Sequence, residues 1–376
     1  MVNKMLLLLA ITASSIFPGK AFAIDVTYIS QTRVITPYWS NVYAVVQAAA
    51  RDLNINLTII EGQGHRIYQA EVIATLVGAT KKPDLLIFHA YKQNAAQYFN
   101  LLEQAKIPFV TYSNFTDPKA LPADRQLGHP QGKYKYWLSE HYVANFQGAA
   151  LLVKSLINQA KTSQPQRQKP LRVLALSGDL IMQSLERSAG IAAQIKLEDN
   201  VILVQDIVVN WSREEAKNKF KALFSRHNGI DLVWASSDVM ALGALTGAIE
   251  LGLRPNKDIF IGGFDWDAKA IAKIKQHQLS ASAGGQFYNI AWLLVQVYDH
   301  FNNQAAFPSQ NKQMAAQYTV IEQSNLAQFE QLTTMEILTS VNFYCFTKTY
   351  TRQTSYDFSM SNLLKQSSSP DKQHCQ

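Results

Sequence analysis

Cysteine is almost missing from this sequence. The 376-residue chain has two, Cys345 and Cys375, both close to its end. The body of the fold therefore rests on neither a disulfide framework nor a cysteine metal cluster. The two tail cysteines either bridge or stay as thiols, and the sequence leaves both readings open. Past the first residues there is no apolar run long enough to span a bilayer, so the processed chain is expected to be soluble. The formal charge of +7 is scattered. Without a basic stripe or arm, nucleic acid is a poor partner. Signatures of chemistry are missing too. There is no HExxH, GxSxG, CxxC or Walker A loop, and Gly62 and Gly64 form only a lone glycine pair. The eight histidines show no ligand spacing, and no paired carboxylates stand at acid/base spacing. The expectation is a protein that is not an enzyme and that uses no metal and no cofactor.

The start of the chain reads as a cleavable export signal, residues 1–23. Lys4 supplies the positive start, Met5 to Ile11 a short apolar run, and Ala21-Phe22-Ala23 a small-x-small cleavage site. Without Lys4 and Lys20 the net charge falls from +7 to +5. No Cys follows the run, so a lipid anchor is not expected. What remains is long for one core and comfortable for two lobes.

Short runs of Val, Ile and Leu then alternate with amphipathic stretches. Strands are predicted at Asp25–Ser30, Asn56–Ile60, Asp84–Phe88 and Pro108–Tyr112, with helices at Trp39–Leu53, Ile67–Ala79 and Asn94–Ala105 between them. From Asn114 to Leu138 the composition reads as a long loop. A second series starts with a helix at Asn145–Lys161. It continues through strands at Leu171–Leu176, Val201–Val208, Asp231–Ala235, Ile259–Gly262 and Leu279–Ala283, each followed by a helix. The repeated β-α rhythm predicts an α/β protein with two lobes, each a parallel sheet covered by helices. The expected division is 25–143 plus about 285–315 for one lobe and 144–284 plus about 316–332 for the other. Residues 333–376, rich in Ser, Thr, Gln and Lys, read as a disordered tail.

In open parallel sheets ligands bind beyond the carboxyl ends of the strands. The residues just after each predicted strand are Tyr38 and Trp39, Gln63, His89, Ser113 and Asn114. In the second series they are Asp179 to Arg187, Trp211, Ser236 to Asp238, Asp265 and Gln286. Aromatic plates, amides, hydroxyls, one Arg and two Asp suit a small polar, sugar-like ligand. Hydroxyls pair with planar carboxylates, amides and guanidinium, and the apolar faces of a sugar stack on rings. Plainer readings stand beside these. Trp39 can open a helix and pack in the core, Arg187 can be a solvated charge, and Asp238 can simply cap its helix.

Ser237-Asp238-Val239-Met240-Ala241-Leu242-Gly243-Ala244 resembles the NDxMALGA element of type I periplasmic binding proteins. Gly262-Gly263-Phe264-Asp265 resembles their GFD strand end, and Thr36-Pro37-Tyr38-Trp39 their N-terminal aromatic element. The likeness runs over roughly residues 25–320. LacI-type repressors share it, but no counterpart of their DNA-binding headpiece precedes the first strand. The resemblance implies two Rossmann-like lobes joined by a three-stranded hinge, with ligand in the cleft. It casts Tyr38, Trp39 and Trp211 as aromatic contacts, Gln63 as a polar contact, and Arg187 and Asp265 as hydroxyl-binding groups. Ser237 stands where sugar binders usually have Asn, Ser113-Asn114 where they have Asp-Arg, and Gln286 beside the usual position of a Gln. These departures point to another polyol or a modified sugar rather than a ribose-type ligand. The likeness to LuxP-like autoinducer receptors is more distant, since Val34 occupies their Gln position. The expected role is a monomeric periplasmic receptor that hands its ligand to an ABC permease. The alternative is a receptor that presents ligand state to a membrane sensor.

Overall fold

Two six-stranded sheets carry the chain. The structure, a computed structural model, describes residues 23–33, 36–91, 94–112, 127–307, 314–367 and 375. The expected export signal, Ala23 aside, and both Ser113 and Asn114 lie outside these residues. The first half forms β1 (Ile24–Ile29), α1 (Pro37–Asp52), β2 (Ile55–Ile60), α2 (Arg66–Gly78), β3 (Leu85–His89), α3 (Ala95–Ala105), β4 (Phe109–Tyr112) and β5 (Trp137–Val143). The second half forms α4 (Asn145–Ser163), β6 (Leu171–Ser177), α5 (Met182–Ile195), β7 (Val201–Val208) and α6 (Arg213–Arg226). It continues with β8 (Leu232–Ala235), α7 (Asp238–Glu250), β9 (Phe260–Phe264), α8 (Ala268–Lys275) and β10 (Ala281–Gly284). Then follow α9 (Asn289–Phe301), β11 (Met314–Ala316) and β12 (Thr319–Glu322). The chain ends with α10 (Leu326–Phe329), α11 (Met335–Ser340), α12 (Lys348–Thr351) and α13 (Met360–Ser367).

The strand orders are β11-β5-β4-β3-β1-β2 and β12-β10-β9-β8-β6-β7. Pairing is parallel throughout except that β12 runs antiparallel to β10. The order reverses beside β1 in one lobe and beside β6 in the other, which opens a crevice at the carboxyl ends of those strands. Strands such as β3 and β8 are buried on both faces, as sheets covered on two sides require. Local signals agree with the helix starts. Thr36 caps α1 ahead of Pro37, and Ser212 caps α6 ahead of Glu214 and Glu215, whose charges suit the helix N-terminus.

Two expectations need correction. The loop predicted through Leu138 contains the start of β5. Its sequence, WLSEHYV, places Ser139, Glu140 and His141 in the interior. Those polar residues hide the strand from any hydrophobic pattern. Desolvation pushes the pKa of His141 down to about 4, against the opposing pull of Gln296 and Asn289 of α9, so the buried ring is neutral. The tail expected to be disordered is folded from residue 335 to 367. Leu338, Val341, Phe343 and Leu363 are fully buried, and Cys345 is bonded to Cys375 with Cα atoms 5.4 Å apart. Overall aliphatic content was a poor guide because a few buried aliphatics are joined by aromatic rings. Phe343, Phe346 and Phe358 gather on Trp292 of α9 with centroids 5.5, 4.8 and 4.7 Å away.

The chain passes between the sheets at Val143–Asn145, Gly284–Asn289 and Ala316–Thr319. It passes a fourth time after β12. Residues 326–333 lie on the second lobe, where Lys275 of α8 pairs with Glu330 at 2.9 Å. From α11 onward the chain packs on α1 and α9 of the first lobe.

Candidate functional site

A cavity of about 730 Å³ opens between the lobes, within the size range of small-molecule sites. Tyr38, Trp39, His89, Arg187, Trp211, Ser237, Asp265 and Gln286 all line it. These eight residues, all singled out from the sequence, thus meet at one place. Gln63 does not; it is exposed on the rim, and Gly64 and Gln31 form the wall there. Ser113 and Asn114 lie outside the described residues.

The second-lobe wall is built from charge and fixed hydrogen bonds. Arg187, on α5, is a buried ion rather than a solvated one, with 7% of its surface exposed. Its Nε donates to Asn145 Oδ1 at 3.1 Å, Nη1 to the Ser236 carbonyl at 2.6 Å, and Nη2 to the Tyr318 hydroxyl at 3.0 Å. The guanidinium lies over the Phe264 ring, 4.3 Å from its centroid. A guanidinium has five N–H groups, so after these three bonds two remain for a ligand. The nearby Tyr318 and Asp265 hold Arg187 charged against desolvation.

Asp265 sits at the end of β9 with φ 106°, a left-handed conformation that is strained for any residue but glycine. The strain turns the carboxylate into the cleft, where Gln286 Nε2 donates to its Oδ1 at 2.8 Å. Burial raises its pKa to about 6, against the opposing pull of Arg187 and Gln286. Gln286 is itself buried, and its Oε1 has no partner among the described residues. A buried amide oxygen in a cleft wall is a ready acceptor for a ligand hydroxyl.

Trp211 forms an aromatic plate. Its indole lies flat against Gly178, where an added Cβ would fall 2.2 Å from the ring. Its Nε1 donates to Asp179 Oδ2 at 2.8 Å, and Asp179 Oδ1 accepts from Ser184 Oγ and from the Ile181 amide. The ring's one polar atom is thereby engaged, and the face away from Gly178 is left for stacking.

Asp238 does not cap α7, contrary to the plain reading of the sequence. Ser237 caps it, with Oγ accepting from the Met240 amide at 3.3 Å. Asp238 is the first residue of the helix and is fully buried. It ties β9 to β10 by accepting from Ser282 Oγ at 2.7 Å and the Asp267 amide at 2.8 Å. Burial and the charge of Asp265 push its pKa well above the usual carboxylate range.

The first-lobe wall is different. Tyr38 and Trp39 open α1 and meet edge to face, with centroids 5.3 Å apart. In the same wall the hydroxyls of Tyr28 and Tyr112 pair at 3.3 Å. His89 ends β3, buried against Tyr91 and Tyr112, with Nδ1 unpartnered among the described residues. Desolvation pushes its pKa down to about 4, so it presents a neutral ring at physiological pH. Sequence reasoning missed Asn145 and Tyr318. Both flank passages between the lobes, next to strands with weak hydrophobic patterns. The one available signal was Asn145 itself, a polar residue at the start of α4, two positions past β5.

The comparisons with known proteins agree with this fold. A family model described as a periplasmic binding protein domain matches residues 26–305. The galactofuranose-binding protein YtfQ of Escherichia coli (strain K12) is 30% identical over 101 residues, covering 26% of this chain and 32% of that protein. The chain thus matches about a third of that relative's length. Two solved structures share the fold. A periplasmic sugar-binding protein from Pseudomonas fluorescens superposes with a TM-score of 0.76 at 22% identity, over 90% of this chain and 98% of that one. An ABC transporter periplasmic solute-binding protein from Actinobacillus succinogenes with bound D-allose superposes with a TM-score of 0.65 at 20% identity, over 81% and 99%.

Proposed function

The chain belongs to the periplasmic binding protein family, and from that premise we propose that it is a solute receptor that closes its two lobes on a sugar or related polyol and delivers it to an ABC permease. The observation that carries the reading is the composition of the cleft. Three aromatic residues, Tyr38, Trp39 and Trp211, flank a cavity that also holds the Arg187 fork, the Asp265 carboxylate and the Gln286 amide. Rings cover the C–H faces of a sugar, while the carboxylate, amide and guanidinium pair with its hydroxyls. The galactofuranose-binding relative and the allose-bound structure support the ligand class.

The same site admits a mechanism of capture. The ligand first meets the second-lobe wall, whose groups are already held in place. Hinge bending then brings Tyr38, Trp39 and His89 onto it and expels water. Periplasmic residence follows from the family, and the Cys345–Cys375 bond is compatible with an oxidising compartment.

Isothermal titration of the purified protein against D-galactose, L-arabinose, D-ribose, D-allose and myo-inositol tests the reading. At least one saturable heat in the micromolar range or tighter is expected. A folded sample silent to the whole panel, extended to disaccharides, would sink the sugar assignment.

A further inference from the structure

We propose that residues 335–367 form a strap that sets how the binding cleft is held, and that Met360 is a positioning residue for the ligand-binding pair Gln286 and Asp265. The proposal rests on the sugar-receptor reading only for its affinity readout.

The strap is anchored in four ways. Its aromatic residues pack around Trp292 of α9, as described above. Its backbone is tied to Asp299, a fully buried carboxylate of the same helix. That carboxylate accepts from the Lys348 amide at 2.7 Å, the Thr349 amide at 2.9 Å, the Thr349 hydroxyl at 2.7 Å and the Tyr356 hydroxyl at 3.1 Å. A buried carboxylate satisfied by four donors is a rigid attachment, because losing any of them leaves charge uncompensated. Phe343 adds a bond from its amide to Asp52 Oδ2, at the end of α1. Finally, the disulfide joins the segment beyond α13 back to Cys345.

What this anchored segment touches makes it more than a stabiliser. Met360 opens α13 against Gly285, where an added Cβ would fall 2.9 Å from Met360 Cε. Gly285 has φ 99°, so it is the residue of that passage whose conformation demands glycine. It is also within reach of the next passage, with the Gln317 carbonyl 3.5 Å from the same point. The residue after Gly285 is Gln286, whose amide holds Asp265. A chain of direct contacts therefore runs from the disulfide-closed strap through Met360 to Gly285, and on through Gln286 to the carboxylate in the cleft.

Hinge motion requires backbone rotation at a few such residues. A methionine seated on the pivot limits that rotation and holds Gln286 at the angle that serves Asp265. A site held in its binding geometry loses less freedom on binding. Loosening the strap should therefore weaken ligand binding even though no strap residue enters the cleft.

The test compares wild type, Met360→Ala, Met360→Leu and the double variant Cys345→Ser/Cys375→Ser. Hydrogen exchange is followed by mass spectrometry over residues 281–290, with affinity measured for whichever panel sugar binds. Met360→Ala and the double variant are expected to speed exchange at residues 285–288 at least tenfold and to weaken binding about fivefold or more. Met360→Leu should restore both. If the variants lower Tm but leave exchange at the pivot and affinity at wild-type values, the strap is a stabiliser only and the proposal is overturned. If no sugar binds any of the four proteins but pivot exchange still responds to Met360→Ala, the sugar reading fails and the strap assignment stands.

Discussion

The two walls of the cleft are made from different physics. The second-lobe wall is ionic and prewired, with Arg187 bonded through all three nitrogens, Trp211 pinned by Asp179 and Gly178, and Asp265 held by Gln286. The first-lobe wall is aromatic and neutral, with Tyr38 against Trp39, a tyrosine hydroxyl pair, and a histidine that stays unprotonated. Prewired dipoles need no reorganisation when a ligand arrives, so the second lobe should carry most of the specificity. Rings contribute burial and depend on the lobe being closed.

The hardest blow to that contrast falls on Arg187. Arg187→Lys keeps a cation but cannot reproduce a planar fork with bonds to Asn145, Ser236 and Tyr318 and two donors to spare. We expect titration to show binding weakened by about 100-fold, roughly 2.7 kcal/mol. Tyr38→Phe, in the neutral wall, should cost only about threefold. Comparable losses from the two variants would mean that the walls share the work and that the contrast is wrong.

A smaller effect is expected at the one aromatic plate in the ionic wall. Trp211→Ala removes a stacking face and should weaken binding about tenfold, in line with about 1.4 kcal/mol for such a contact. Gly178→Ala sharpens the point because it removes nothing that could touch a ligand. The added methyl would collide with the indole and displace the plate. It should reproduce most of the Trp211→Ala loss in affinity while circular dichroism stays native.

The sequence revealed these two walls unequally. Residues that follow strongly apolar strands were easy to place: Tyr38 and Trp39 after β1, His89 at the end of β3, Trp211 after β7, and Asp265 after β9. Short aliphatic runs fix where a parallel strand ends, and the ends of parallel strands fix the cleft. Asn145 and Tyr318 were hidden because β5 carries Ser139, Glu140 and His141 inside, and β11 and β12 are only three and four residues long. The strap was hidden for a related reason. Its burial depends on a few scattered aliphatics, on rings, and on a disulfide between residues 30 apart in sequence. Neither leaves a periodic signature. Gln63 shows the opposite error, since position after a strand does not say which way a loop turns.

The mildest test of the contrast is pH, which separates Asp265 in one wall from His89 in the other. Asp265 has its pKa raised to about 6, while that of His89 is lowered to about 4. Of these two groups only the carboxylate should therefore change state between pH 5 and 8. A ligand hydroxyl donates to the ionised carboxylate, so affinity should be level above pH 7 and about twofold lower at pH 6. Below that the logarithm of the affinity should fall with unit slope. The folded state itself responds in the opposite sense. A carboxylate whose pKa is raised on folding binds more protons folded than unfolded, so its contribution to stability declines as pH rises from about 4 to 6. Affinity and Tm should accordingly move in opposite directions across that window, apart from other groups. Asp265→Asn should flatten the affinity profile and bind weakly at every pH. An affinity that instead falls on raising pH from 5 to 7 would mean that the ligand needs a protonated cleft, and would undo the assignment of an ionised acceptor to the second lobe.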